Sequence, residues 1–151
     1  ALSRSRFVME GYSRSRYLAM ALYDLIIHCG PGPYTYKGKD HDAITLYETV
    51  MEDVGGLHSI KGAFPVASWY HLMMGYDAGY FSYIWSEAYA ADLFSVFEAS
   101  PNGVMDPALG RKYRETILQP CATLDGGVML RNFLGRDPST DAFLRRMDMT
   151  S

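Results

Sequence analysis

From Leu2 to about His28 the chain carries no proline and only Gly11, while Phe7, Val8, Tyr12, Leu18, Leu22, Leu25 and Ile26 recur at helical spacing. That period predicts one long helix, ended by Gly30-Pro-Gly-Pro33. A second helix is predicted from about Asp40 to Asp53, with Ile44, Leu46, Tyr47, Val50 and Met51 on its buried side and Gly55-Gly56 as its stop. Residues 57–68 read as a loop around Pro65. A third helix, rich in alanine and aromatics, is predicted from about Asp77 to Glu98, broken by Ser100-Pro-Asn-Gly103. Asp106-Pro107 puts an N-cap residue before a proline at the first helical position, and the helix it opens should reach Leu118, before Pro120. Asp125 is predicted to cap a short helix bearing Val128, Met129, Leu130, Phe133 and Leu134, with Gly135 closing it. Asp137-Pro138 repeats the start signal for a last short helix around Ala142, Phe143 and Leu144. No stretch reads as a strand, and no internal repeat stands out. The predicted fold class is all-α.

Composition narrows the function without naming it. A chain of 151 residues is long enough for one hydrophobic core. The net charge of -3 gives no electrostatic footprint for nucleic acid or an anionic membrane. Arg4, Arg6, Arg14 and Arg16 do cluster, but within an apolar helical pattern that reads as a solvated face. No apolar run approaches the ~18 residues that would span a membrane. Two cysteines, Cys29 and Cys121, are too few for a disulfide framework; both are expected as free thiols in a reducing compartment. Cytoplasm is therefore expected, with an organelle as the alternative. The opening Ala-Leu-Ser-Arg-Ser-Arg resembles neither a signal peptide nor a natural start, so the chain is expected to be entered midway.

Candidate chemistry lies between His71 and Glu87. Tyr76, Tyr80 and Tyr83 stand at i, i+4 and i+7, so a helix beginning at Asp77 would align the three phenols in one stripe with Tyr76 at its mouth. Gly75 and Gly79 flank that entrance and allow backbone conformations and close approaches that alanine would hinder. His71 precedes the glycine turn and can fold back over the stripe. Neutral donors so arranged suit an oxyanion that develops during attack on a peptide bond. An aromatic stripe at helical spacing is also the ordinary signature of a packed core, and the residues alone leave both readings open.

The motif His71-Leu-Met-Met-Gly-Tyr-Asp-Ala-Gly-Tyr-Phe-Ser-Tyr-Ile-Trp-Ser-Glu87 resembles the tyrosine-rich loop and helix downstream of the zinc site in the thimet oligopeptidase/neurolysin family. Tyr113-Arg-Glu-Thr-Ile-Leu-Gln-Pro120 is a second similar block, and Met129-Leu-Arg-Asn-Phe-Leu-Gly-Arg-Asp-Pro-Ser-Thr-Asp-Ala-Phe-Leu144 resembles the ending of those enzymes. Upstream, Ser5-Arg6 and Asp24-x-x-x-His28 are similar to the family's helix before the loop. The resemblance implies the C-terminal part of a zinc oligopeptidase catalytic domain. His71 would help stabilise the transition state and position substrate. Tyr80 would hydrogen-bond the tetrahedral intermediate, Tyr83 would point at the same site, and Tyr76 would close over bound peptide, with Gly75 and Gly79 beside the substrate.

The same resemblance implies Zn2+ as cofactor, its bound water deprotonated by a glutamate and attacking the scissile carbonyl. None of His28, His41, His58 and His71 begins His-Glu-x-x-His, so all the zinc ligands are expected upstream of Ala1 and none in this chain. The chain alone is expected to be inactive. Short peptides are the expected partners, and the full-length enzyme is expected to be a monomer. Two alternatives stay open: a non-catalytic truncated helical binding or scaffold module, and a dipeptidyl carboxypeptidase of the same family. The family's pattern is departed from at Cys121 and Ala122, which stand where glycines are usual, with Cys121 expected as an inert buried thiol.

Overall fold

The computed structural model describes residues 8–60 and 62–149. Among the described residues six α-helices dominate: α1 Glu10–Ile27, α2 Ala43–Asp53, α3 Ser82–Glu98, α4 Pro107–Tyr113, α5 Gly126–Leu134 and α6 Asp141–Arg146. The helical fold class expected from the sequence is borne out, with one addition. Tyr34–Tyr36 and Lys39–His41 form an antiparallel hairpin, β1 and β2, in register Tyr34↔His41 and Tyr36↔Lys39. The chain divides after Tyr83 into two compact units, the second beginning at Ile84.

The hairpin corrects the expectation of a strandless chain. Its two-residue connection, Lys37-Gly38, has positive φ at both positions, 49° and 76°, the backbone that matches the twist of paired strands. Lysine is an uncommon occupant of that conformation. It is held there by Asp53 near the end of α2, whose carboxylate accepts from Lys37 Nζ at 2.7 Å and from the Tyr36 hydroxyl at 2.6 Å. Because Asp40 and His41 belong to β2, α2 starts later than predicted. Asp42 caps it, accepting from the backbone N–H groups of Ile44 and Thr45 at 2.9 and 2.8 Å.

The core of the first unit lies between α1 and α2. Leu46, Tyr47, Val50 and Met51 are buried as predicted, whereas Ile44 is exposed. On α1 the predicted apolar face holds only in part: Leu22 and Ile26 are half-buried and pack against the core, but the other described positions do not. Phe7 lies outside the described residues, Val8 and Met9 precede the helix, and Val8, Tyr12, Leu18 and Leu25 are exposed. The buried positions are Ala19, Met20, Ala21, Tyr23 and Asp24, and all but Ala21 form one i, i+1, i+4, i+5 stripe. Two of these four are an alanine and an aspartate, so hydrophobicity alone could not mark the stripe. Ala19 leaves room for Gly55, where an added Cβ would come within 2.6 Å of the Met51 carbonyl oxygen. Tyr23 meets Tyr47 edge-on at 5.2 Å.

The second unit is centred on Phe133 of α5, fully buried between Phe97 of α3 at 5.8 Å and Tyr113 of α4 at 5.6 Å. Asp106 caps α4 with Pro107 at the first helical position, as predicted. The helix then widens into a π turn, Arg114–Leu118, before Pro120. Asp125 caps α5, and Gly135 closes it at φ 73°. The predicted start at Asp137-Pro138 fails, since α6 begins at Asp141. Residues 136–139 are instead drawn to Asp92 of α3, 1 % exposed, which accepts from Arg136 Nη1 at 2.8 Å and from the Ser139 N–H at 2.8 Å. Cys121 is exposed rather than buried and adopts φ 49°, so this thiol occupies left-handed backbone of the kind glycine takes freely.

Arg136 holds the Asp92 carboxyl below the usual carboxylate range, and the Ser139 N–H acts in the same sense. A depressed folded pKa contributes stability that is present above the unfolded value, about 3.9, and is lost as pH falls through the folded one. Arg136→Met should therefore destabilise the second unit at pH 7 by about 2 kcal/mol, below the full cost of breaking a buried pair because the guanidinium is half-exposed. Below about pH 4 the gap between variant and wild type should narrow. Denaturant unfolding of both proteins at neutral and acidic pH checks this; an equal gap at both would remove Asp92 as its source.

Candidate functional site

The residues that the sequence singled out converge. Tyr70–Met73 forms a short 3-10 turn that turns the His71 ring into a group of phenols. Tyr70 stacks on the imidazole at 4.2 Å, while Tyr76, Tyr80 and Tyr83 meet it edge-on at 5.6, 5.1 and 6.1 Å. The expected folding back of His71 over the tyrosines is thus observed.

The expected helical stripe is not. Residues 77–81 form a turn, and α3 begins only at Ser82, so Tyr83 alone of the three phenols stands on the helix. The cause is Asp24, wholly buried on α1. Its Oδ1 accepts from the Ala78 N–H at 3.1 Å and its Oδ2 from the Tyr80 N–H at 3.0 Å. Ala78 is held at φ 54°, which no helix tolerates. His28, one turn along α1, places Nδ1 2.8 Å from the Asp24 carbonyl oxygen and 3.0 Å from Oδ1. Gly75 sits at φ 81°. At Gly79 a Cβ would come within 3.1 Å of the Tyr76 carbonyl oxygen, so each glycine meets a backbone need that alanine would resist.

The three phenols differ in setting. Tyr80 is 8 % exposed, against 43 % for Tyr76 and 37 % for Tyr83. Its ring lies parallel to Tyr17 at 4.9 Å and edge-on to Trp69 at 4.7 Å, and its hydroxyl reaches the Met20 thioether at 3.9 Å. Burial raises its phenol above the ordinary value, opposed by a hydrogen bond from Tyr17. Hydrogen bonding with Tyr76, with burial second, pushes the Tyr83 phenol up to about 12. Both stay protonated at neutral pH and so remain donors. Met73 and Met74 stand out into solvent beside the cluster.

A metal is not part of this arrangement. Among the described residues no group of three or more His, Cys, Asp and Glu side chains could hold an ion. His28 is turned to Asp24, His58 Nδ1 lies 2.9 Å from Glu52, and His71 is enclosed by aromatic rings. The described residues do not fit zinc. Among them no helix is long and apolar enough to cross a membrane.

Comparison with known proteins agrees with the motifs. The model of peptidase family M3 matches residues 2–149. The chain is 34 % identical over 135 residues to a thimet-like oligopeptidase of Dictyostelium discoideum, covering 89 % of this chain and 19 % of that protein. It is 36 % identical over 155 residues to saccharolysin of Saccharomyces cerevisiae, covering 99 % and 20 %. With a probable cytosolic oligopeptidase A of Arabidopsis thaliana it shares 38 % over 157 residues, covering 95 % and 20 %. The chain belongs to peptidase family M3, the thimet oligopeptidase/neurolysin family that its motifs resemble. It spans about a fifth of the length of these relatives.

Two residues of the site went unread in the sequence. Asp24 was noticed only within a resemblance, and a charged residue on the buried stripe of a helix was the available signal. Trp69 left none. Asp24→Asn keeps the shape but replaces one acceptor with an N–H that faces a backbone donor. Amide exchange at Ala78 and Tyr80 should accelerate roughly thirtyfold, equivalent to about 2 kcal/mol of lost local stability. Exchange at Val50 and Met51 in α2 should change far less. Unaltered exchange at 78 and 80 would show that the carboxylate does not hold the turn.

Proposed function

We propose that this chain forms part of a zinc metalloendopeptidase that hydrolyses short peptides, and that it supplies donors for the transition state. The observation that carries this reading is the convergence of the His71 ring with the phenols of Tyr76, Tyr80 and Tyr83, all within 6.1 Å between ring centroids. Tyr80 is buried as a core aromatic would be, but Tyr76 and Tyr83 beside it stay exposed, where a ligand could reach them. Zinc is proposed as cofactor of the parent enzyme, with its ligands outside the described residues. Cytoplasm is the proposed compartment and a monomer the proposed state.

In this reading a peptide carbonyl meets neutral donors that are already oriented, so little reorganisation is needed when negative charge grows on its oxygen. Tyr80 is held between Tyr17 and Trp69 with only a thioether accepting from its hydroxyl, and a thioether is a weak acceptor. Its O–H can be redirected to an oxyanion at small cost. In the same reading Tyr76 closes over substrate, a role supported by its exposure and by the left-handed Gly75 before it. Gly75 and Gly79 keep the backbone beside it free of Cβ atoms.

Tyr80→Phe in the full-length enzyme keeps the ring and its stacking and removes one donor. Turnover should fall roughly 10²–10³-fold with KM little changed. Tyr76→Phe should raise KM more than it lowers kcat. Steady-state hydrolysis of a short peptide by each variant, with circular dichroism to check folding, measures both. A folded Tyr80→Phe enzyme that keeps most of its turnover would leave Tyr80 as a core aromatic.

A further inference from the structure

Trp69 is neither a member of the phenol cluster nor a residue that the motifs single out, yet it makes the shortest polar contact to His71. Its indole Nε1 lies 3.1 Å from His71 Nδ1. Indole N–H is a donor and never an acceptor, so His71 Nδ1 must accept, and a nitrogen that accepts carries no proton. The neutral ring then bears its proton on Nε2, on the side where the Tyr83 hydroxyl stands 3.5 Å away. Both contacts then point the same way, with His71 Nε2–H facing the Tyr83 oxygen, and the indole donor sets the direction.

We propose that Trp69 fixes His71 as its Nε2–H tautomer and so sets the direction of a hydrogen-bond row that runs from Trp69 through His71 to Tyr83. Trp69 is a positioning residue in this row, since it acts through His71. Tyr83, the last member, accepts from His71, which leaves its own O–H to be given onward, and a peptide carbonyl is an acceptor that suits it. That last assignment rests on the peptidase reading; the tautomer of His71 does not.

The ring packing supports a fixed tautomer. Tyr70 covers one face of the imidazole at 4.2 Å, and Tyr76 and Tyr80 meet it edge-on. Trp69 is itself pinned, edge-on to Tyr80 at 4.7 Å and tilted against Tyr23 at 6.1 Å. A ring flip of His71 would present Cδ2 to the indole N–H and forfeit the bond.

The tautomer can be read directly. In the uniformly 15N-labelled full chain at alkaline pH, a long-range 1H–15N correlation spectrum should show His71 Nδ1 with the shift of an unprotonated nitrogen and Nε2 with that of a protonated one. Trp69→Phe keeps an aromatic ring and removes the donor, and should move both signals toward the average of two interconverting tautomers. His58, paired with Glu52, should not respond. A wild-type His71 protonated at Nδ1 overturns the proposal, as does a folded Trp69→Phe chain with unchanged His71 signals. Should that variant fail to fold, a through-bond correlation between Trp69 Nε1 and His71 Nδ1 in the wild type decides: its presence supports the row, and its absence overturns it. If Trp69→Phe in the full-length enzyme lowers peptide hydrolysis with no tautomer change, the proposal for Trp69 is overturned and the donor cluster still stands.

Discussion

A carboxylate removed from water must be met by donors, and for Asp24 most of those donors lie in one distant turn. The side chain sits on the buried stripe of α1 with no exposed surface, and the Ala78 and Tyr80 N–H groups reach it from more than fifty residues along the chain. An unpaired charge there would cost several kcal/mol. The turn is therefore constrained to present both amides at once. To do so Ala78 takes a left-handed conformation, α3 cannot begin before Ser82, and Tyr80 is swung down onto Tyr17 while Tyr76 and Tyr83 remain near the surface. The position of the phenols around His71 follows from satisfying one buried acid.

The second unit solves a similar problem with different chemistry. Asp92 is as deeply buried as Asp24, but its principal partner is a guanidinium rather than backbone amides alone. A planar fork matches two carboxylate oxygens and fixes orientation as well as charge. In both units a helix carries an aspartate inward, and an irregular segment more than forty residues further on is shaped by what that aspartate accepts.

This explains which parts of the molecule were legible in the sequence. Asp42, Asp106 and Asp125 act on amides two and three residues ahead, so cap and helix are read from one short window, and α2, α4 and α5 lie close to where the patterns put them. Gly135 is equally local. The errors occur where a distant group overrules local preference. Residues 77–81 hold no proline and only Gly79 to weaken a helix, and the turn there is fixed by Asp24. Asp137-Pro138 has the form of a helix start, but Asp92 takes the neighbouring groups. The hairpin at Lys37-Gly38 escaped because its tip is secured by Asp53, sixteen residues on. At the site, residue identities and the approach of His71 were readable from the motif. Trp69 was not, because its bond to His71 depends on a backbone turn that no periodicity reports.

The methionines around the cluster fall into two environments with different chemical fates. Met73 and Met74 are 86 % and 70 % exposed, whereas Met20, beneath Tyr80, is 5 % exposed. Oxidants convert a thioether to a polar sulfoxide, which an interior cannot absorb but a surface can. Met73 and Met74 thus stand as sacrificial sulfurs at the rim, able to react while the buried sulfur that accepts from the Tyr80 hydroxyl remains shielded.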